Sequence, residues 1–169
     1  YVTGNLGDSY LGLKALSNKV KFKNKDKLFF VDKYYKPEIP LNLTKYLLKF
    51  ANSSIDISDG LIDDLTKMIN RQSLSFHLFE NKIPVSNKLS NFIKKQKLNK
   101  INLTSNGDDY QVLFTADNKK ARIIQNASKA TGIKITKIGK IISGKNRSLI
   151  FDEKGKQIQA KSKGYIHQF

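Results

Sequence analysis

The chain has 169 residues and a mass of 19.2 kDa, with 39% hydrophobic and 10% aromatic residues, enough apolar material for one domain and too much for a disordered segment. Lysine and arginine number 31 against 14 acids, a formal net charge of +17. The lack of cysteine excludes disulfide scaffolds, cysteine-ligated zinc and thiol nucleophiles, and no apolar run approaches the roughly 20 residues that span a bilayer. With no signal-peptide pattern either, a cytosolic protein is expected. The chain opens on Tyr1 inside what reads as a strand, as expected of a piece of a longer protein.

Tyr1–Gly4 reads as short and extended. Asp8–Ser17 reads as a helix with Asp8 as N-cap and Leu11, Ala15 and Leu16 on one face. Residues 19–27 read as a lysine-rich loop. Pro37 and Pro40 bound a turn, after which Leu43, Tyr46, Leu47 and Phe50 repeat at helical spacing. Residues 54–58 alternate like a strand, stop at Asp59-Gly60, and give way to an amphipathic helix carrying Leu61, Leu65, Met68 and Ile69. Leu74–Phe79 alternates as a strand, Ser86–Lys97 reads as a helix and Tyr110–Thr115 as a buried strand. A helix over Asn118–Thr131 ends at Gly132, and Ile133, Ile135 and Ile138 lead into strands with a turn at 144–146. There is no repeat and no linker. The fold class expected is α+β, one domain over 1–169.

The positive charge consists of 28 lysines and three arginines spread over nearly every segment. Base reading and bidentate phosphate clamping favour arginine, so a solvated lysine surface is preferred to a specific nucleic-acid interface. A non-enzymatic polyanion-binding module remains the alternative of another class.

Three segments are unusual for scaffolding. Thr3-Gly4-Asn5-Leu6-Gly7-Asp8-Ser9 is a glycine-bearing loop running into a helix, whose amides offer a place for a phosphate. Residues 55–65 carry Asp56, Asp59, Asp63 and Asp64, four acids within nine positions of a basic chain. Hard cations such as Mg²⁺ take carboxylate oxygens at this density, although acids at a helix N-terminus are also ordinary dipole partners. Asp56 favours the metal, because a carboxylate inside an apolar strand is costly unless bound. Ser105-Asn106-Gly107-Asp108-Asp109-Tyr110 places paired acids before a strand, as a ligand-orienting site or as a polar turn.

Together and in this order, TGNLGDSYLGL, SIDISDGLIDDL and NGDDYQVLFT resemble the C-terminal half of bacterial thiamine-monophosphate kinase. The family's forms are TGxLGDSxxGL, (V/I)DxSDGLxxDL and GGEDYELLFT. The resemblance extends through Tyr35-Lys36-Pro37, residues 138–141 and the terminal Gly164-Tyr165-Ile166-His167, so it covers nearly the whole chain. It implies an α/β sandwich with a mixed sheet covered by helices, as in aminoimidazole-ribonucleotide synthetase. It also implies transfer of a phosphoryl group from ATP to thiamine phosphate with Mg²⁺. By position, Asp56 and Asp59 match metal-binding aspartates and Ser58 a nucleotide-contacting serine. Asp108 falls where the family has a substrate-contacting glutamate, and Tyr165 where an aromatic packs on the substrate. Asp108 is one methylene shorter than that glutamate, and Asn106 stands in place of a glycine. The resemblance further implies a missing N-terminal ATP- and Mg²⁺-binding domain, a homodimer in the full-length protein and no activity of this portion alone; no membrane association is expected from the apolar pattern. Another ATP-using relative, of the aminoimidazole-ribonucleotide or selenophosphate synthetase type, is the nearer alternative.

Overall fold

The computed structural model describes residues 1–70, 72–161 and 164. Among these, eight strands form two four-stranded sheets. The first sheet has the order β2-β4-β1-β5, from β1 (Val2–Thr3), β2 (Ala51–Asp56), β4 (Val112–Ala116) and β5 (Ile135–Thr136), all antiparallel. The second has the order β6-β3-β7-β8, from β3 (Leu74–Phe79), β6 (Gly139–Ser143), β7 (Leu149–Phe151) and β8 (Gln157–Ile158). It is mixed, because β3 runs parallel to β7 and antiparallel to β6. The expected α+β class holds, with the single sheet resolved into two.

Alternation across β4 explains the layering. Successive strand residues point to opposite faces, and here both Leu113 and Phe114 are fully buried. Phe114 packs with Leu43 and Phe50, and with Ile124 and Ala127 of α7 (Ala121–Thr131), so the helix pair formed by α3 (Thr44–Phe50) and α7 covers that face. Leu113 faces the main core, where Val2 meets Phe76 and Leu78 of β3 and Leu61 and Leu65 of α4 (Leu61–Met68). Leu74, Phe76 and Leu78 share the inward face of β3, as their spacing predicts. A third cluster, Leu11, Phe30, Leu89 and Leu103, ties together α1 (Asp8–Leu16), α2 (Asn24–Tyr35), α5 (Asn87–Gln96) and α6 (Lys100–Thr104).

The structure corrects several sequence expectations. The N-cap of α1 is Gly7 in a left-handed conformation, and Asp8 is the first helical residue. The lysine-rich loop ends early: α2 starts at Asn24. Strand β2 spans 51–56, so Ser58 lies beyond it and no alternation links Ser58 to Asp56. The helix expected from Asn118 begins as a 3-10 turn and becomes α7 at Ala121, ending at left-handed Gly132 as read.

Candidate active site

The site is built where the end of β2 meets the segment leading into β4. Beyond Asp56, Ile57 keeps the two chains joined: its N–H donates to the Gln111 carbonyl (2.8 Å) and its carbonyl accepts from the Tyr110 N–H (2.9 Å). The chain then turns through Ser58, Asp59 and Gly60 into α4. Asp64, in the first turn of that helix, is almost completely buried and reaches back to organise the turn. Its Oδ2 accepts the backbone N–H groups of Ser58 (3.1 Å), Asp59 (3.0 Å) and Gly60 (2.9 Å). A carboxylate here satisfies donors left open before a helix start and meets the positive end of the helix dipole.

The facing segment approaches backbone to backbone. The Asp108 N–H donates to the Ser58 carbonyl at 3.0 Å. A Cβ on Gly107 would lie 1.7 Å from the Ser58 oxygen, and one on Gly60 (φ +134°) would lie 2.2 Å from the Ser105 oxygen. Glycine is therefore required at both positions. Asp108 and Tyr110 both have positive φ, 68° and 51°, a conformation costing on the order of 1–3 kcal/mol for a bulky side chain. Asp109, between them, holds the turn in place: its buried carboxylate accepts the Gly7 N–H at 2.7 Å, tying this segment to the loop before α1. Burial drives the Asp109 carboxyl well above the usual range, against the lowering effect of that hydrogen bond.

Asp59 and Asp108 thereby face one another across the corner. Burial, then the Asp59 charge, raises the Asp108 pKa. Asp59, Asp63 and Asp64 each bring a carboxylate oxygen within 4.8 Å of the others. The Lys67 ammonium sits over them, contacting Asp59, Asp63 Oδ2 at 2.7 Å and Asp64 Oδ1 at 3.3 Å. Hard oxygen donors in this number suit Mg²⁺, and the ammonium already occupies the corner as a stand-in cation, so the residues fit the metal. Gly164 lies against the same corner, close to Asp63 Cβ and the Asp59 carbonyl.

Of the residues singled out from sequence, Ser58, Asp59 and Asp108 are brought together. Ser58 is half-buried. Asp56 is exposed at the end of β2, an edge strand whose Asn52, Ser54 and Asp56 all face solvent. The burial argument for metal binding at Asp56 is therefore overturned, and its assignment rests on the family motif alone. Tyr165 lies outside the described residues. Three amides of the 3–9 loop are committed within the fold: Gly4 N–H to Lys134 O, Leu6 N–H to Pro84 O and Gly7 N–H to Asp109 Oδ2. At these positions the loop is a structural tie, the ordinary glycine-bearing turn into a helix, and the Gly7 amide that a phosphate could have taken meets the Asp109 carboxylate instead. Sequence reasoning missed the roles of Asp64 and Lys67; their i and i+3 spacing was the available signal.

No family model matches the chain. It is 35% identical over 168 residues to the thiamine-monophosphate kinase of Buchnera aphidicola subsp. Schizaphis graminum, covering 99% of this chain and 51% of that relative. It is 30% identical over 168 residues to the thiamine-monophosphate kinase of Escherichia coli K12, with the same coverage. The chain is homologous to the C-terminal half of thiamine-monophosphate kinases. It spans about half the length of these relatives. The likeness extends to structure: AaThiL complexed with AMPPCP and TMP superposes with a TM-score of 0.74 at 29% identity, over 99% of this chain and 50% of that one. Among the described residues no helix is long and apolar enough to cross a membrane.

Proposed function

We propose that this chain is the C-terminal half of a cytosolic, Mg²⁺-dependent kinase that converts thiamine phosphate and ATP to thiamine diphosphate and ADP. The observation that carries the reading is the convergence of the 58–60 turn and the 107–110 turn on one carboxylate-lined corner. A phosphate oxygen of thiamine phosphate attacks the γ-phosphorus of ATP, and the bond from that phosphorus to the ADP oxygen breaks. No covalent enzyme intermediate is needed, so positioning and charge neutralisation supply the rate. Mg²⁺, where bound, neutralises phosphate charge in this chemistry.

Asp59, with Asp56 at the adjoining strand end, holds the metal in this reading, and Ser58 contacts the nucleotide. Asp108 meets the cationic thiazolium side of the substrate, where a carboxylate is the complementary charge. Tyr165 supplies a flat face for a substrate ring. The remaining length of the relatives supplies an N-terminal domain with further metal and nucleotide ligands and the contacts of a homodimer. The test is an assay of thiamine diphosphate formation and ADP release in a protein carrying both halves, with thiamine phosphate compared against other phosphorylated acceptors. Thiamine phosphate is the expected preferred acceptor, and preference for an aminoimidazole ribonucleotide would overturn the assignment.

A further inference from the structure

The Lys67 ammonium is the least expected group at this corner. It stands one helical turn beyond Asp63 and Asp64 on α4, so all three project over the Ser58-Asp59-Gly60 turn. An ammonium has three donors, and here each is directed at a different carboxylate, those of Asp59, Asp63 and Asp64. These contacts, with Asp59 first, strengthen the hold on the Lys67 proton well above the ordinary lysine range. The three acids are not equivalent. Asp64 is enclosed and held by three backbone N–H groups, whereas the Asp59 and Asp63 side chains remain 21% and 35% exposed. The lysine is 44% exposed on a flexible stem, so its head can leave for solvent without opening the core.

We propose that Lys67 is an internal counter-cation: its ammonium holds Asp59 and Asp63 together in the metal-free protein and must be displaced when a divalent cation binds, so that Lys67 sets the metal affinity of this corner. The inference rests on the reading of Asp59 as a metal ligand. A divalent ion and an ammonium cannot share the same carboxylate oxygens without strong like-charge repulsion. Asp64 gives up only its Oδ1 contact with the ammonium in the exchange, because its Oδ2 stays committed to the turn. The corner therefore keeps its shape whether the lysine or a metal neutralises it, and the lysine acts as a positioning residue whose removal frees ligands already in place.

Mn²⁺ titration of the 169-residue chain, followed by the electron paramagnetic resonance signal of free Mn²⁺, tests this without any activity measurement. Lys67→Met keeps most of the unbranched stem and removes the charge, and it should tighten Mn²⁺ binding about tenfold. Lys67→Arg keeps the charge and should stay at or below the wild-type affinity. Lys67→Gln serves as a second neutral variant should Lys67→Met fail to fold, as judged by circular dichroism. Unchanged or weaker Mn²⁺ binding in the folded neutral variant overturns the proposal. Adding Asp59→Asn to Lys67→Met separates the two readings. Loss of the tight binding supports the displacement, and tight binding that survives Asp59→Asn shows the metal is held elsewhere and overturns both.

Discussion

Asp8 shows how burial alone changes the behaviour of one side chain. It is 6% exposed, takes a hydrogen bond from Ser86 Oγ at 2.7 Å, and has its pKa pushed up to about 6, chiefly by desolvation. The folded protein therefore binds a proton here more tightly than the unfolded chain does. This group favours folding below about pH 4, and its contribution is lost as the pH rises through about 6. Asp8→Asn keeps the Ser86 hydrogen bond and cannot ionise. Its stability advantage over wild type should grow between pH 4 and pH 7 by up to about 3 kcal/mol, read from urea midpoints. A gap that does not change with pH would show that Asp8 does not titrate in this range. At the proposed site, Asp56→Asn and Asp59→Asn should each lower turnover at least about tenfold in a protein with both halves, with the fold intact. Wild-type turnover of Asp56→Asn at limiting Mg²⁺ would remove that residue from the metal site, a pointed test given its exposure. Asp108→Ala should weaken thiamine phosphate while leaving ATP affinity nearly unchanged, and Asp108→Glu should be tolerated. A drop in melting temperature with no selective effect on substrate would instead make Asp108 a structural turn residue.

At the scale of elements, the 58–60 turn and α4 behave as one unit because Asp64 joins them. Asp64→Ala strands three backbone N–H groups, two of them beside Asp59, and should cost about 2–4 kcal/mol in urea unfolding. Gly107→Ala should cost a similar amount for a different reason, since its Cβ would run into the Ser58 carbonyl. The elements that announced themselves in sequence are those with a periodic apolar face: α4, α5, α7 and β3 were all legible from spacing. Helix α2 was hidden because Phe30 is its single buried residue and lysines crowd its start, so it carries almost no apolar stripe. Helix α6, five residues long, is too short for a period to show. The site was legible in a different way. Asp59 and Asp108 were marked by motif, while the partnership of Asp109 with Gly7 joins residues 102 positions apart and leaves no local signal.

For the molecule as a whole, the corner offers a limited set of ligands. Among the described residues, the acids that gather within 4.8 Å are Asp59, Asp63 and Asp64, and Lys67 neutralises part of their charge. Groups misplaced by an ångström can cost on the order of a hundredfold in rate, and in the proposed reading this chain carries only part of the ligands that align two phosphates and a metal. The 169-residue chain should accordingly fold and show no measurable kinase activity. Thiamine diphosphate formation should appear when the N-terminal half of a relative is supplied, joined or as a separate domain. Robust synthesis by the chain alone would show that the site is placed wrongly.

The position of β1 has consequences for the order in which the chain acquires its structure. This two-residue strand is interior to its sheet, with β4 on one side and β5 on the other. The Phe114 N–H donates to the Tyr1 carbonyl and the Tyr1 nitrogen to the Phe114 carbonyl, across 113 positions of sequence. A growing polypeptide must therefore hold residues 1–3, and all of β2, without partners until β4 has been made. At roughly 5–20 residues per second the wait from Tyr1 to Phe114 lasts roughly 6–23 s, and that of β2 about half as long. Contacts of such span are late and slow because the loop must close before they contribute. In pulse-labelled hydrogen exchange during refolding, the amides of α5 and α7 should gain protection first and the Phe114 amide in the final phase, and the unpaired edge of β2 is exposed to neighbouring chains throughout that interval.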